Sequence, residues 1–187
     1  AIEHLSVYEH RNYSSNIDII NVDKEGRLDL EHLKYLLDKY NSEKILVSVM
    51  VANNETGVVQ DLKKIVEISK GYGAYVHSDC AQAIGKINLD ISLLGLDYAT
   101  ITAHKFGGPL GVGAVICKES LHLVPHIIGG GQEKGSRAGT ENISAIAGFA
   151  KACEIKANSN LEEERLAIEE KRNKMEEEII NICPDVV

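Results

Sequence analysis

The residues from Tyr98 to Gly113, YATITAHKFGGPLGVG, combine a short apolar run with a lysine and a glycine-rich loop. The run Tyr98 to Ile101 predicts a strand buried on both faces, and Lys105 follows near its end. A lysine in an apolar pocket can lose its proton and attack a carbonyl, and glycines let a backbone approach a ligand closely. The alternative is an ordinary strand end with a surface lysine and a flexible loop.

Polar side chains also follow two other predicted strands, residues 44–51 and 74–78. In α/β folds, ligands bind at the carboxyl ends of parallel strands, which lie at one edge of the sheet. An ordinary asparagine turn after the first of these strands is the alternative interpretation of Asn54. The polar residues that follow the three strands are Asn54, Asp79, Gln82, Thr102, His104 and Lys105.

One cofactor, pyridoxal phosphate, would use nearly all of these groups. It needs a lysine amine for a Schiff base, an acid that keeps its pyridine nitrogen protonated, and donors for its phosphate and ring oxygen. Lys105 suits the first role and Asp79 the second. Thr102 and His104 could bind the phosphate, and Gln82 the ring oxygen. The set is more informative than any single assignment.

The elements that must position these residues alternate between strands and helices. This order predicts a three-layer α/β fold with a mostly parallel sheet and helices on both faces, followed by a long C-terminal helix. Asp29 and Asp61 are expected to cap helices. We expect one cofactor-binding domain over residues 1–157, and in residues 158–187 a helix leading towards a further domain. The other expected elements are strands at 17–22 and 113–117 and helices at 62–70, 143–157 and 161–182.

Composition excludes several classes of function. The net charge of −8 over 187 residues argues against a direct nucleic-acid partner. The four cysteines are scattered without a CxxC pair, so we expect no metal site. Apart from Cys80, which adjoins Asp79, we expect them to behave as small hydrophobes. No apolar run approaches the roughly 20 residues that span a membrane, and no signal peptide is visible, so a cytoplasmic protein is expected.

Four segments resemble those of cysteine desulfurases, which are class V relatives of the aminotransferases. They are VANNETGVVQD, HSDCAQAIGK, TITAHKFGGPLGVGA and GGGQEKGSRAGTEN, and the resemblance covers about residues 1–155. It implies a pyridoxal-phosphate-dependent transferase of fold type I. It also implies that His4 stacks on the cofactor ring, that Asn54 lies near the ring oxygen and substrate, and that Thr140 reaches the phosphate across a dimer interface. The roles implied for Asp79, Gln82, Thr102, His104 and Lys105 agree with those above.

The resemblance also implies a reaction. L-cysteine would become L-alanine, Lys105 would shuttle the α-proton, and a catalytic cysteine would carry the sulfur as a persulfide. A sulfur-acceptor scaffold protein would then receive it for iron–sulfur cluster assembly and tRNA thiolation. The full-length family forms homodimers.

Parts of the family pattern are missing from this sequence. None of the four cysteines matches the catalytic one, and the substrate-binding arginine and the N-terminal phosphate segment have no counterpart. With Ala1 rather than methionine at the start, the chain is interpreted as a fragment that binds the cofactor weakly and cannot complete desulfuration alone. The alternatives are an inactive truncated remnant, half of a split enzyme, or another class V enzyme such as a selenocysteine lyase or an aminotransferase.

Overall fold

The computed structural model describes residues 2–40 and 43–184. Four strands and five α-helices follow one another within these residues, together with short 3-10 turns. The strands are β1 (Leu46–Ser48), β2 (Tyr75–Asp79), β3 (Tyr98–Thr102) and β4 (Gly113–Cys117). The helices are α1 (Leu5–Tyr8), α2 (Leu30–Lys39), α3 (Leu62–Gly71), α4 (Ile143–Ala157) and α5 (Leu161–Ile182).

The strands form one sheet in the order β1-β2-β3-β4. The first three are parallel, and β4 runs antiparallel to β3. Val47 of β1 lies opposite Val76 of β2, and Asp79 of β2 lies opposite Thr100 of β3. The α/β class, the mostly parallel sheet and the long C-terminal helix are therefore confirmed. Because parallel strands end at the same edge, this register brings together the residues that come directly after β1, β2 and β3.

Side-chain caps set where the helices begin. The carboxylate of Asp29 accepts from the amides of Glu31 and His32, both at 3.0 Å, as the sequence predicted. Asp61 caps α3 in the same way, and Asn142 caps α4. Such caps satisfy amide groups that have no partner inside a helix. None of the described helices is long and apolar enough to cross a membrane.

The hydrophobic core lies on one face of the sheet. Leu33 and Leu37 of α2 and Ile65 of α3 pack against the β1 end of this face. Val76 and Ala99 continue the core towards β3, and α4 packs near the end of β3. Side chains that point to the other face, such as those of Ser48, His77 and Thr100, are only partly buried. The apolar run of β3 predicted a strand buried on both faces, and this prediction is therefore wrong.

Asp97 fastens the middle of the sheet. Its carboxylate is 5% exposed and accepts hydrogen bonds from the amide of Val76 at 2.7 Å, from Lys70, and from Lys118 at 3.1 Å. Burial by itself would raise the pKa of Asp97, but these donors outweigh it and hold the pKa below its ordinary value. Asp97, the residue before β3, is therefore hydrogen-bonded to α3 through Lys70, to β2 through Val76, and to the residue after β4, Lys118.

Two further predictions are corrected. Residues 17–22 form no regular strand, and the isolated bridge between Val22 and Leu28 is the pairing found there. Of the cysteines expected to behave as small hydrophobes, Cys117 is partly buried, but Cys153 and Cys183 are exposed. The isoleucines of this segment line a cavity beside β1, but so does Asp18, so its alternation does not separate two faces of a strand.

Candidate functional site

A cavity of about 370 Å³ lies at the carboxyl ends of the strands. It is lined by seven of the eight residues singled out in the sequence. Thr140 is the exception: it lies in the loop before α4 and is exposed. The lining residues are His4, Ser6, Met50, Asn54, Asp79, Ala81, Gln82, Thr100, Ile101, Thr102, His104 and Lys105.

A larger cavity of about 480 Å³ lies between β1, α2 and residues 17–20. Its lining is rich in aliphatic side chains, including Leu33, Leu36 and Ile19. It contains none of the residues singled out for chemistry, whereas the smaller cavity gathers an amine, a carboxylate and two imidazoles. We therefore assign the candidate site to the smaller cavity.

A 3-10 turn, Ala103–Phe106, places the lysine at the mouth of the cavity. Ala103 and Phe106 are buried, and Phe106 packs against Phe149 of α4 with ring centroids 5.8 Å apart. Lys105 itself is exposed, so the apolar pocket expected around its amine is not found. Gly107 ends the turn with φ 93°, a value that glycine tolerates.

The turn after β2 carries the acid and the amide. Oδ1 of Asp79 accepts from the amide of Ala81 at 2.9 Å, and Oδ2 accepts no hydrogen bond within residues 2–40 and 43–184. Nζ of Lys86 donates to Oε1 of Gln82. Because an ammonium group only donates, this contact leaves the Gln82 NH₂ as the group available to a ligand. Burial, and then the nearby charge of Lys105, lowers the pKa of Lys86.

Two histidines at the cavity are held by neighbouring hydroxyl groups. Nδ1 of His104 lies 3.0 Å from Oγ1 of Thr102. Nδ1 of His4 lies 2.8 Å from the hydroxyl of Ser6 and accepts from the amide of Ser6 at 3.2 Å. Since Nδ1 of His4 accepts a hydrogen bond, Nε2 is its donor nitrogen.

Sequence reasoning singled out Asn54 but missed the structural part played by Asn53. Oδ1 of Asn53 accepts from the amides of Glu55 and Thr56 at 2.9 and 2.8 Å, and its Nδ2 donates to the carbonyl of Ile2 at 2.7 Å. The side chain thereby folds the turn that carries Asn54 and joins it to the N-terminal segment. The pattern N-x-x-T-G is typical of such a turn and was the available signal.

Glu3 was also missed. Its Oε1 accepts from the amide of Met50 at 2.8 Å, while its Oε2 is buried and, among the residues the structure describes, has no hydrogen-bond donor. Burial raises the pKa of Glu3 to about 7, and the nearby charge of Asp79 acts in the same direction. No sequence pattern indicates this contact, because the two residues lie 47 positions apart.

None of the four cysteines lines the cavity. Cys80 follows Asp79 directly, but its side chain belongs to the core cluster of Val76 and Ala99. Burial raises the pKa of Cys80 to about 11. Because the thiolate is the nucleophilic form, Cys80 is unsuited to attack a substrate at neutral pH.

The sequence matches a known family model, Aminotransferase class-V, over residues 3–185. A protein named Cysteine desulfurase IscS 1 from Archaeoglobus fulgidus is 44% identical over 161 residues, which make up 84% of this chain and 41% of that protein. A cysteine desulfurase of Sinorhizobium fredii is 36% identical over 191 residues, 100% of this chain and 48% of the relative.

Solved structures agree with these matches. The X-ray structure of a NifS-like protein from Rickettsia africae superposes with a TM-score of 0.93 at 47% identity, covering 96% of this chain and 50% of that one. A second NifS-like protein gives a TM-score of 0.91 at 38% identity. This chain spans about half the length of the relatives that it matches.

Proposed function

The chain belongs to the class V aminotransferase family, and from that premise we propose that it is the pyridoxal-phosphate-binding part of a cysteine desulfurase. The observation that carries the proposal is the cavity at the strand ends, where seven residues suited to this cofactor converge. The substrate would be L-cysteine, as the names of the relatives indicate. Another class V reaction is the alternative that the same cavity would permit.

The residues present fit the cofactor. Asp79 has a carboxylate oxygen free of hydrogen bonds within the described residues, as a partner for a protonated pyridine nitrogen must have. The Gln82 NH₂ is left to donate to the ring oxygen, because Lys86 occupies the amide oxygen. Thr102 and His104 form a bonded pair suited to a phosphate. A volume of about 370 Å³ is within the range of small-molecule sites.

When bound, pyridoxal phosphate supplies an electron sink for bonds broken at the substrate α-carbon. The protein must hold it and move protons. The exposed amine of Lys105 can anchor the cofactor and then carry a proton to or from the α-carbon. His4 is proposed to stack on the ring, and Asn54 to orient the substrate, since both line the same cavity.

Desulfuration as a whole needs a group that this cavity lacks. The C–S bond of cysteine breaks, an S–S bond forms to a second thiol, and the β-carbon takes up a proton to give alanine. The overall reaction, in which cysteine and a protein thiol give alanine and a protein persulfide, is balanced. Because no thiol lines the cavity and burial raises the pKa of Cys80 to about 11, the accepting thiol must come from another part of the enzyme or from a complementing chain.

Several finer assignments belong to this proposal. Thr140 lies outside the cavity of its own chain on an exposed loop, which suits its expected use across a homodimer interface. We assign the cofactor-binding domain to residues 1–157, and within residues 158–187 we assign α5 (Leu161–Ile182) as the connection towards a further domain. A sulfur-acceptor scaffold protein and a cytoplasmic location complete the proposal, as family expectations.

The test is an absorbance titration of the purified chain with pyridoxal phosphate. We expect the yellow band of a lysine-bound cofactor, fixed by borohydride, in the wild type and in the control Lys64→Ala, which alters an exposed lysine of α3. The band should be absent in Lys105→Ala. A folded wild-type chain that gives no band would refute the proposal for this polypeptide and favour an inactive remnant. Abundant alanine from cysteine, made by this chain alone, would refute the need for another thiol.

A further inference from the structure

Two hydrogen bonds fasten residues 2–4 to the carboxyl end of β1. The amide of Met50 donates to Oε1 of Glu3 at 2.8 Å, and Nδ2 of Asn53 donates to the carbonyl of Ile2 at 2.7 Å. His4 comes next in the chain and lines the candidate site, as Met50 does. The location of His4 therefore depends on bonds made by its two preceding residues.

The second carboxylate oxygen of Glu3 lies in an unfavourable environment for a polar atom. Oε2 is buried and accepts no hydrogen bond from any residue that the structure describes. A buried acceptor without a partner costs free energy of folding, and such groups are uncommon in native structures. Stability alone therefore does not account for a carboxyl group at this position. Its other oxygen makes a contact that fixes the segment carrying His4.

We propose that Glu3 is a positioning residue that fixes His4 at the cofactor site by binding the amide of Met50. This inference rests on the function proposed above. Met50 lies just past β1, so its amide is held rigidly by the sheet. By accepting from this amide, Glu3 also limits where the adjacent His4 can lie. Asn53 links the same segment to the turn that carries Asn54.

The surroundings of Glu3 make a neutral isostere the informative substitution. Asp79, at the end of β2, is the side chain of the sheet whose negative charge acts on Glu3. On the other side, the larger cavity is also lined by Asp18, Glu43 and Lys44. Glutamine keeps an oxygen for the amide of Met50 but removes the buried charge, whereas alanine removes the acceptor altogether.

The experiment compares Glu3→Gln, Glu3→Ala and the control Glu9→Ala, which alters a glutamate of the same segment that accepts from Asn12 and does not line the cavity. The first measurement is the dissociation constant for pyridoxal phosphate, alone and combined with His4→Ala. We expect Glu3→Ala to weaken binding about tenfold, as loss of a hydrogen bond to a charged group would. Glu3→Gln and Glu9→Ala should stay within about threefold of wild type.

The double variant separates positioning from general destabilisation. If Glu3 acts through His4, then Glu3→Ala adds less than about twofold once His4 is already alanine. Equal effects in both backgrounds would overturn the inference. So would unchanged binding in the Glu3→Ala variant.

A measurement on the cofactor-free protein keeps the inference separate from the proposed function. Glu3→Ala should shift the imidazole NMR signals of His4 and speed hydrogen exchange at the amide of Met50, and Glu9→Ala should do neither. If the wild type binds no pyridoxal phosphate, the proposed function fails while these signals still decide whether Glu3 places His4. Signals that Glu3→Ala leaves unchanged would refute the positioning role.

Discussion

Replacing Glu3 by glutamine should change how stability depends on pH. The pKa of Glu3 is about 7 in the folded chain, against 4.5 for an ordinary glutamate. Below pH 4.5 the group is protonated in both states and contributes no difference. Between pH 4.5 and 7 the unfolded chain releases the proton first, so the folded state loses stability as the pH rises. The loss levels off about one pH unit above the folded pKa.

The size of the effect can be calculated from these two pKa values. A difference of 2.5 pKa units, from 4.5 to about 7, corresponds to about 3 kcal/mol at about 1.4 kcal/mol per unit. Glutamine cannot ionise, and its amide oxygen can still accept from the amide of Met50. As the pH rises from about 4.5 to about 8, the free energy of unfolding of Glu3→Gln should therefore increase relative to the wild type by up to about 3 kcal/mol. Any difference in stability that is already present at acid pH adds a constant to this change.

The assay is urea unfolding followed by far-UV circular dichroism at several pH values across this window. Other titrating groups cancel in the difference between wild type and variant, and Glu25→Gln supplies the baseline for an exposed glutamate. A difference between wild type and Glu3→Gln that does not change with pH would show that Glu3 is solvated. The reasoning from its buried carboxylate would then be wrong.

Three other substitutions or reactions test the surrounding structure. Asp97→Asn should lower the free energy of unfolding by about 3 kcal/mol near neutral pH, because the cations of Lys70 and Lys118 lose their shared carboxylate. Urea unfolding measures this loss. The difference between variant and wild type should shrink at acid pH, where Asp97 becomes protonated in the wild type. Gly108→Ala should cost about 1–3 kcal/mol, measured in the same way, since its new β-carbon would lie 2.8 Å from a neighbouring side chain and 3.0 Å from a carbonyl oxygen. Cys80 should react with a thiol reagent only after urea unfolding, because it is fully buried. Mass spectrometry of the native chain after treatment with the reagent checks this. Rapid labelling of Cys80 in the folded chain would contradict it.

The parts of the site that come after strands could be predicted from sequence. Asp79 and Lys105 come at or soon after the ends of short apolar runs, and the parallel order of those runs places their ends together whatever the details of packing. The caps Asp29 and Asp61 were likewise predicted, because a cap acts on amides two or three residues away. These signals are local or depend on topology alone.

Contacts between distant residues could not be predicted in this way. The bond from Met50 to Glu3 and the three bonds to Asp97 depend on which side chains the folded sheet brings together. The exposure of Lys105 depends equally on the 3-10 turn that carries it, which apolar periodicity does not reveal. Residues 17–22 have the alternation of a strand, but within the described residues their β-pairing is a single isolated bridge from Val22 to Leu28.

The location of the Glu3 carboxyl group also bears on self-association. Within the described residues β1 has β2 as its one neighbouring strand, and its other edge borders the larger cavity, where a strand from another molecule could add. Glu3 occupies the amide of Met50, just beyond the last residue of this edge, with a side chain that an incoming strand would have to displace. A carboxyl group there shortens the edge available for intermolecular pairing and, when ionised, makes burial of that edge costly. Concentrated protein should therefore associate through β1 more readily when Glu3 is replaced by alanine.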